Sequence, residues 1–428
     1  MRITFVSLFI LFSVAVFSQS DNTNSPYTRY GYGVLADQTF ASQRGMGGIG
    51  YGLRNSQLIN PLNPASFSAV DSMTFMLDFG IKGQVAMMND SAFGTSRRYN
   101  GGLEYLAIQI PLAKGLGIGV GIEPVSFVGY QYGDTTHRLD AVAYEVYQGS
   151  GGLNKVYSNL SYKLFNRLSL GVNIGYLFGD IVHDRSANFT TDAYTVSWID
   201  SLSINSLTYE AGLQYIQKLT KNSELVFGVV YSPKITVNAN VKAAEVRYDN
   251  QTGQVTGDPN YYSTHDSIFQ LPETYGIGLT YHKNNKLIIG ADLQYQKWTD
   301  TKYQYYKWAD SKSYHDMTGS LANRMKINVG GEYIPNVMKN NLFSKIHYRV
   351  GASFANSYIV DKHESRYDEY GVSVGLGIPM VDRRSFINMA FEYSRLTPQK
   401  TASMNEQYFK FTLSYTFNEP WFFKRKLQ

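Results

Sequence analysis

The 428-residue chain has no cysteine, which excludes a disulfide framework, thiolate metal sites and thiol nucleophiles. Charge is sparse too. Asp, Glu, Lys and Arg make up 17% of residues, and the formal net charge of +5 comes from cations scattered along the chain. Without a basic stripe there is no footprint for nucleic acid. Beyond the N-terminus no apolar run reaches the ~18 residues that a membrane-spanning helix needs, and mean hydropathy is only -0.26. What is abundant is Gly (38), Tyr (35) and Phe (24). A transmembrane β-barrel has this profile, because alternation hides its hydrophobicity from any average.

The first residues, MRITFVSLFILFSVAVFSQS, carry one cation, Arg2, then an apolar core and small residues before Ser18 and Gln19. They read as a cleaved secretory signal peptide over 1–19. The competing reading is an N-terminal anchor; the stretch is short for one and no basic stop-transfer cluster follows. With no cysteine at the cut there is no lipoprotein attachment site.

From Met73 onward, segments of about ten residues alternate apolar with small or polar side chains and end in turns, the pattern of a membrane barrel. In the last segment Phe409, Phe411, Leu413, Tyr415 and Phe417 share one face, while Tyr408, Lys410, Thr412, Ser414 and Thr416 share the other. A helix would mix the two sets. The same reading gives about fourteen strands, an even number that returns the chain to its starting side. It assigns 71–418 to an all-β, antiparallel transmembrane barrel and 20–70 to a plug or hatch, with 419–428 as a periplasmic C-terminal tail. Tight turns at 113–115, 165–167, 220–223 and 283–285 are expected at the periplasmic end, and loops at 89–100, 249–267 and 309–318 at the extracellular end. A soluble β-sandwich would show a polar outward face instead.

The predicted lumen face carries Glu104, Glu123, Lys163, Glu210, Asp292, Lys326, Glu332, His347, Arg349, Glu392 and Lys410. A Lys or Arg facing lipid at midplane costs about 2–4 kcal/mol, which points these groups inward. Mixed signs suggest internal bracing, with Glu332, Arg349, Glu392 and Lys410 as a charge network; a ligand-binding role is the alternative. At the C-terminus Trp421, Phe422 and Phe423 suit an aromatic girdle and Lys424, Arg425 and Lys426 suit lipid phosphates, or else the tail docks a partner.

Residues 25–67 do not alternate. Their GMGGIGYG followed by NPLNPASF resembles the N-terminal hatch of the FadL/TodX family of outer-membrane transporters for hydrophobic compounds, with further echoes in GSGGLN, LPETYGIGLTY, LQYQKW and GGEYIP. The resemblance implies a fourteen-stranded barrel plugged by the hatch, with Asn63, Pro64, Ala65, Gly47 and Gly48 on the substrate path. It also implies a hatch shift that releases substrate, often through a lateral opening at a kinked strand. Gly149, Gly151 and Gly152 are candidates for that kink, or for an ordinary loop break, and Asn63-Pro64 would by itself be a plain turn.

The seven histidines show no metal-ligand spacing, and G-x-S-x-G, P-loop and H-E-x-x-H motifs are missing. The expectation is a non-enzyme without cofactor or metal, although a barrel hydrolase needs no local motif. The leading expectation is passive uptake of small hydrophobic compounds, long-chain fatty acids or aromatic hydrocarbons. The alternative is a PorV-like scaffold that binds secreted proteins. Expected partners are outer-membrane lipid, a hydrophobic substrate and, during biogenesis, the barrel assembly machinery. An apolar cavity between hatch and wall would favour transport; a lumen filled by ion pairs would favour the scaffold.

Overall fold

The computed structural model describes residues 25–90, 94–138, 141–189, 194–264, 268–284, 286–307, 313–316, 321–336, 341–360, 366–399 and 404–421. The signal-peptide reading at 1–19 and Phe422 to Lys426 of the tail lie outside them. Among the described residues no helix is long and apolar enough to cross a membrane.

A two-residue strand, β1 (Val34–Leu35), precedes the barrel. The wall begins with β2 (Thr74–Asp90), β3 (Gly94–Ala113), β4 (Leu116–Arg138), β5 (Ala141–Leu164), β6 (Leu168–Phe189) and β7 (Tyr194–Thr220). Its seventh span is broken into β8 (Ser223–Ser232), β9 (Ile235–Val237) and β10 (Ala239–Asp249), and its eighth into β11 (Asn260–Thr264), β12 (Phe269–Leu271) and β13 (Glu273–Lys283). β14 (Leu287–Lys297) follows, then a small hairpin of β15 (Gln304–Lys307) and β16 (Ser313–Asp316). The wall ends with β17 (Arg324–Tyr333), β18 (His347–Asn356), β19 (Tyr367–Pro379), β20 (Phe386–Pro398) and β21 (Asn405–Pro420). Antiparallel pairing of β21 with β2, from Thr74↔Pro420 to Asn89↔Asn405, closes a fourteen-stranded barrel. Closure pairs the two end strands of the sheet, as a sheet that spans a membrane requires; β3 and β4 stay paired only between Leu106↔Ile122 and Ala113↔Leu116.

Alternation sets the faces. On β19 Tyr370, Val372 and Val374 are exposed while Ser373, Gly375 and Gly377 are buried, and on β21 Thr412, Ser414 and Thr416 are buried opposite exposed Phe409 and Phe411. The tight turns sit at 114–115, 165–167, 221–222 and at Asn284 and Lys286, where Gly115, Phe165, Asn166 and Asn284 take positive φ. At the other end the sequence reading needs correction. The stretch 89–100, expected as a loop, is mostly strand, because β2 runs to Asp90 and β3 starts at Gly94. Likewise 249–267 contains β11 and 309–318 contains β16. Strands of up to 27 residues far exceed the ~9–11 that cross a bilayer. They continue as ribbons beyond it, where no lipid enforces alternation.

Before the wall comes the hatch: a 3-10 turn at Pro26–Arg29, β1, a one-turn helix at Ala41–Arg44 and a second 3-10 turn at Pro64–Ala69. It fills the lumen. Phe40 stacks on Tyr105 at 3.8 Å, within a buried cluster that includes Ile59, Phe67, Met76 and Tyr157. Nearer the long-strand end a second cluster joins Tyr32 to Val128, Leu153, Leu177, Ile181, Phe269, Trp298 and Tyr358. Burying each large apolar side chain contributes about 1.5–3 kcal/mol.

Candidate functional site

Arg44, which sequence reasoning passed over, is the hub that fixes the hatch. Its guanidinium reaches Glu104 at 2.5 Å and Glu392 at 3.6 Å, and donates to the Thr39 and Asp37 carbonyls at 2.9 Å each. Burial alone would lower its pKa, but Glu104, Glu392 and Asp37 outweigh it and keep the cation charged. Asp37 pairs with Lys326. Burial would raise that carboxyl, yet Lys326, Lys410 and Arg44 hold it well below the usual carboxylate range. On β14, the strand paired with β17, the Asp292 carboxylate accepts the Gly50 and Tyr51 N–H groups at 2.5 and 2.8 Å.

The residues singled out by the hatch motif are buried and structural in their contacts. Asn63 Oδ1 caps the Pro64–Ala69 turn by accepting Ala65 N–H at 3.0 Å, while its Nδ2 donates to the Tyr51 carbonyl at 2.7 Å and to Leu213 at 3.2 Å. Pro64 and Ala65 lie against Gly171 and Gly212 of the wall. Gly47 donates its N–H to Ser373 Oγ, and the Gly48 carbonyl accepts from Asn328. Gly47 and Gly48 line a 30 Å³ polar space together with Asp37, Arg44, Lys326, Glu392 and Lys410, about one water's volume. The expected four-residue charge network is thus divided. Glu392 and Lys410 belong to this space, while Glu332 pairs with Arg349 at 2.7 Å, which reaches Asn388 at 2.8 Å, and with His347 at 3.1 Å. A third group, missed as a unit, joins Lys155 to Glu123 at 3.0 Å and Glu210 at 3.4 Å.

The wall is parted at one seam. β3 pairs with β4 only between Leu106↔Ile122 and Ala113↔Leu116; beyond that point β3 follows β2 alone and β4 follows β5 alone. The β4 register slips between Pro124 and Ser126. Gly151 and Gly152 sit across from this slip at φ +109 and +146, inside an uninterrupted β5. A Cβ on Gly151 would come within 2.0 Å of the Asp180 carbonyl, so the bend depends on glycine. Gly149 faces Tyr130 in the same ladder. The Gly149–152 stretch is therefore kinked strand, not a loop.

The hatch covers the freed edge of β4. β1 pairs with it at Val34↔Phe127 and Leu35↔Ser126, and Ala36 N–H donates to Val125 at 2.9 Å. Thr28 Oγ1 accepts Gly129 N–H at 3.1 Å, and Arg29 donates to Tyr132 at 2.7 Å while lying 4.3 Å over the Tyr147 ring. This strap, residues 25–36, stands where β3 would otherwise stand.

Behind the strap is a cavity of about 130 Å³ between hatch and wall, with Leu35 and Leu62 on one side and Val125, Leu177, Val230 and Trp298 on the other. Lys155 and Glu210 supply its charge. It reaches the wall at a second irregularity, where β7 leaves β8 at Ala211↔Tyr231 and regains β10 at Ile204↔Ala239, with Tyr209 and Pro233 at the break. Among the described residues no group of three His, Asp or Glu is placed to hold a metal ion.

A fourteen-stranded barrel closed by an N-terminal hatch defines an outer-membrane protein with the FadL/TodX fold. The match to the BamG family extends over residues 1–428, and the chain belongs to that family. In solved structures the barrel is similar to the toluene transporter TbuX of Ralstonia pickettii, with a TM-score of 0.59 and 14% identity over 89% of this chain and 98% of that one. It is similar to the Pseudomonas putida toluene transporter TodX, with a TM-score of 0.59 and 16% identity over 91% and 99%. A Pseudomonas aeruginosa FadL homologue gives 0.58 and 15% over 90% and 99%. Identities this low establish the shared fold. No curated protein matches the sequence.

Proposed function

We propose that this barrel passes a small hydrophobic compound across the outer membrane, with the strap at residues 25–36 as its gate. The observation that carries the reading is the parted β3–β4 seam, zipped by β1 in front of a cavity between hatch and wall. A free strand edge at membrane depth is costly, so a barrel that needed only to be stable would have closed it with β3. A space near 150 Å³ holds one benzene-sized molecule; this cavity, about 130 Å³ with Leu35, Leu62, Val125, Leu177 and Trp298 beside Lys155 and Glu210, is near that size. Similarity to channels for toluene supports the same chemistry. Export by a cleaved signal peptide completes the reading. Asn63, Pro64 and Ala65 would then hold the hatch floor beneath the guest, and Gly151 with Gly152 would permit the bend that opens the seam.

The test uses the absence of native cysteine. Leu35 and Ser126 face each other across the β1–β4 pair, in the closer, non-hydrogen-bonded register that suits a disulfide. Cells expressing Leu35→Cys/Ser126→Cys should take up labelled toluene only after reduction, and oxidised cells should match a deletion strain. Equal uptake with the strap locked would refute the gate.

A second reading has its own support. Buried ion pairs pin the hatch to β3, β17 and β20, and membership of the BamG family suggests an outer-membrane assembly context. In that reading the barrel is a scaffold for another protein. A deletion strain with unchanged uptake of every probe, but with depleted surface proteins, would favour it.

A further inference from the structure

One large concavity lies on the outside of the barrel. It holds about 910 Å³ along β14, β17, β18, β19, β20 and β21, at the upper end of the ~300–1,000 Å³ that encloses a small-molecule ligand. Its floor is made of short side chains, Val329, Val350, Val372 and Val374, all about half exposed, and its flanks are aromatic, with Tyr333 and Tyr348 at one end and Phe391 and Phe409 at the other.

The hatch explains the hollow. Opposite these valines, the inward positions are glycines pressed on hatch backbone: a Cβ at Gly330 would lie 2.1 Å from the Met46 carbonyl, and one at Gly351 would lie 2.1 Å from Gly47 N. The wall therefore rests directly on the plug, with nothing bulky on either side of it.

The groove opens toward the tight-turn end, where barrels of this kind face the periplasm. Tyr333 and Leu287 are the last and first residues of their strands there, and Ile334 donates its N–H to Lys286. Lys286, Lys345 and Arg383 occupy the three neighbouring turns; Lys286 and Arg383 are exposed and Lys345 is half-buried. Among the described residues none of the three enters an ion pair. The acid in this row, Asp382, is engaged by the N–H groups of Arg384 and Ser385 and by Ser385 Oγ. Phe343 and Val381 stand exposed beside the cations.

We propose that this groove binds one anionic phospholipid of the periplasmic leaflet, with acyl chains on the valine floor and the phosphate on Lys286, Lys345 and Arg383. An apolar lining on the outer face of the wall and a basic mouth at headgroup level are the features that select a membrane lipid over a soluble ligand.

The test is native mass spectrometry of the full-length protein, stripped stepwise of detergent-exchangeable lipid and then titrated with phosphatidylglycerol or phosphatidylethanolamine. Wild type should keep one lipid per chain after the annulus is removed and should prefer phosphatidylglycerol. Val350→Trp/Val372→Trp fills the floor and should abolish retention, whereas Val172→Trp on the exposed face of β6 should leave it intact. Lys286→Glu/Lys345→Glu/Arg383→Glu should lower phosphatidylglycerol affinity by at least about tenfold. Heat-modifiable electrophoretic mobility certifies that each variant is a folded barrel. Retention that survives the filled floor, affinity indifferent to the charge reversal, or a photo-crosslink from position 350 to a protein in place of a lipid would each overturn the proposal.

Discussion

Replacing Arg44 by Met should loosen the hatch while leaving the barrel intact. The side chain is buried, and its removal strands the Glu104 carboxylate, which keeps only Lys82 at 3.4 Å, together with Glu392 and the carbonyls of Thr39 and Asp37. Breaking a buried ion pair on one side costs about 3–5 kcal/mol, because the survivor remains desolvated and unpaired. Each 1.4 kcal/mol is a factor of ten, so the fraction of molecules with an unseated hatch should rise roughly 10²- to 10⁴-fold. Hydrogen exchange of residues 40–53 in the folded barrel reads that ratio directly, and exchange of the β20–β21 ladder serves as the internal reference. Arg44→Met/Glu104→Gln/Glu392→Gln removes the stranded charges as well and should recover more than half of the lost protection. Unchanged hatch protection in the single variant would refute the view that ion pairing seats the plug. A triple variant no better than the single would show that Arg44 acts by packing.

Asn63→Ala removes a cap and leaves the buried Tyr51 carbonyl with Gln214 Nε2 as its remaining side-chain donor, so hatch protection should fall by about 1–2 kcal/mol in the same exchange measurement. Gly351→Val puts a side chain where Gly47 N lies 2.1 Å from an ideal Cβ; the barrel should still assemble, with a hatch open to added protease. Asp37 has a folded pKa depressed below its unfolded value near 3.9. Its contribution to hatch seating is therefore complete above about pH 4 and is lost as pH falls further toward the folded value. The difference in hatch protection between wild type and Asp37→Asn should stay constant from neutral pH down to about 4 and then shrink.

The wall was legible because one face meets lipid and the other meets the plug, which imposes a two-residue period that a single sequence displays. The alternation on β21 was read with the correct two sets, and so was the turn at 165–167. Where lipid no longer constrains the chain the signal fades, and 94–100 of β3 looked like a loop though it is ladder-paired to β2. The hatch contacts were hidden for a different reason. Arg44 meets Glu104 and Glu392 from 60 and 348 positions away (104 − 44 and 392 − 44), and no local pattern encodes such partners. One signal was available and unused: Gly330, Gly351 and Gly375 lie on the inward face of successive strands, and a strand glycine often marks a place where another backbone approaches. The hatch backbone at Gly45, Met46 and Gly47 is the matching half.

The strap decides what the parted seam can do. With β1 in place, Val125 receives the Ala36 N–H and Gly129 finds Thr28, so the freed edge of β4 has partners at membrane depth. Withdrawing the strap removes these bonds together, and in hydrocarbon each unsatisfied backbone group costs several kcal/mol. A spontaneous opening of that size is rare. The seam would therefore stay shut until something offsets the loss: a guest in the cavity that displaces Leu35, or a partner strand that takes the β4 edge. Both proposed functions converge on this edge, and they differ in what replaces β1. A locked Leu35→Cys/Ser126→Cys pair that blocks toluene uptake points to the guest, and one that blocks delivery of surface proteins points to the strand.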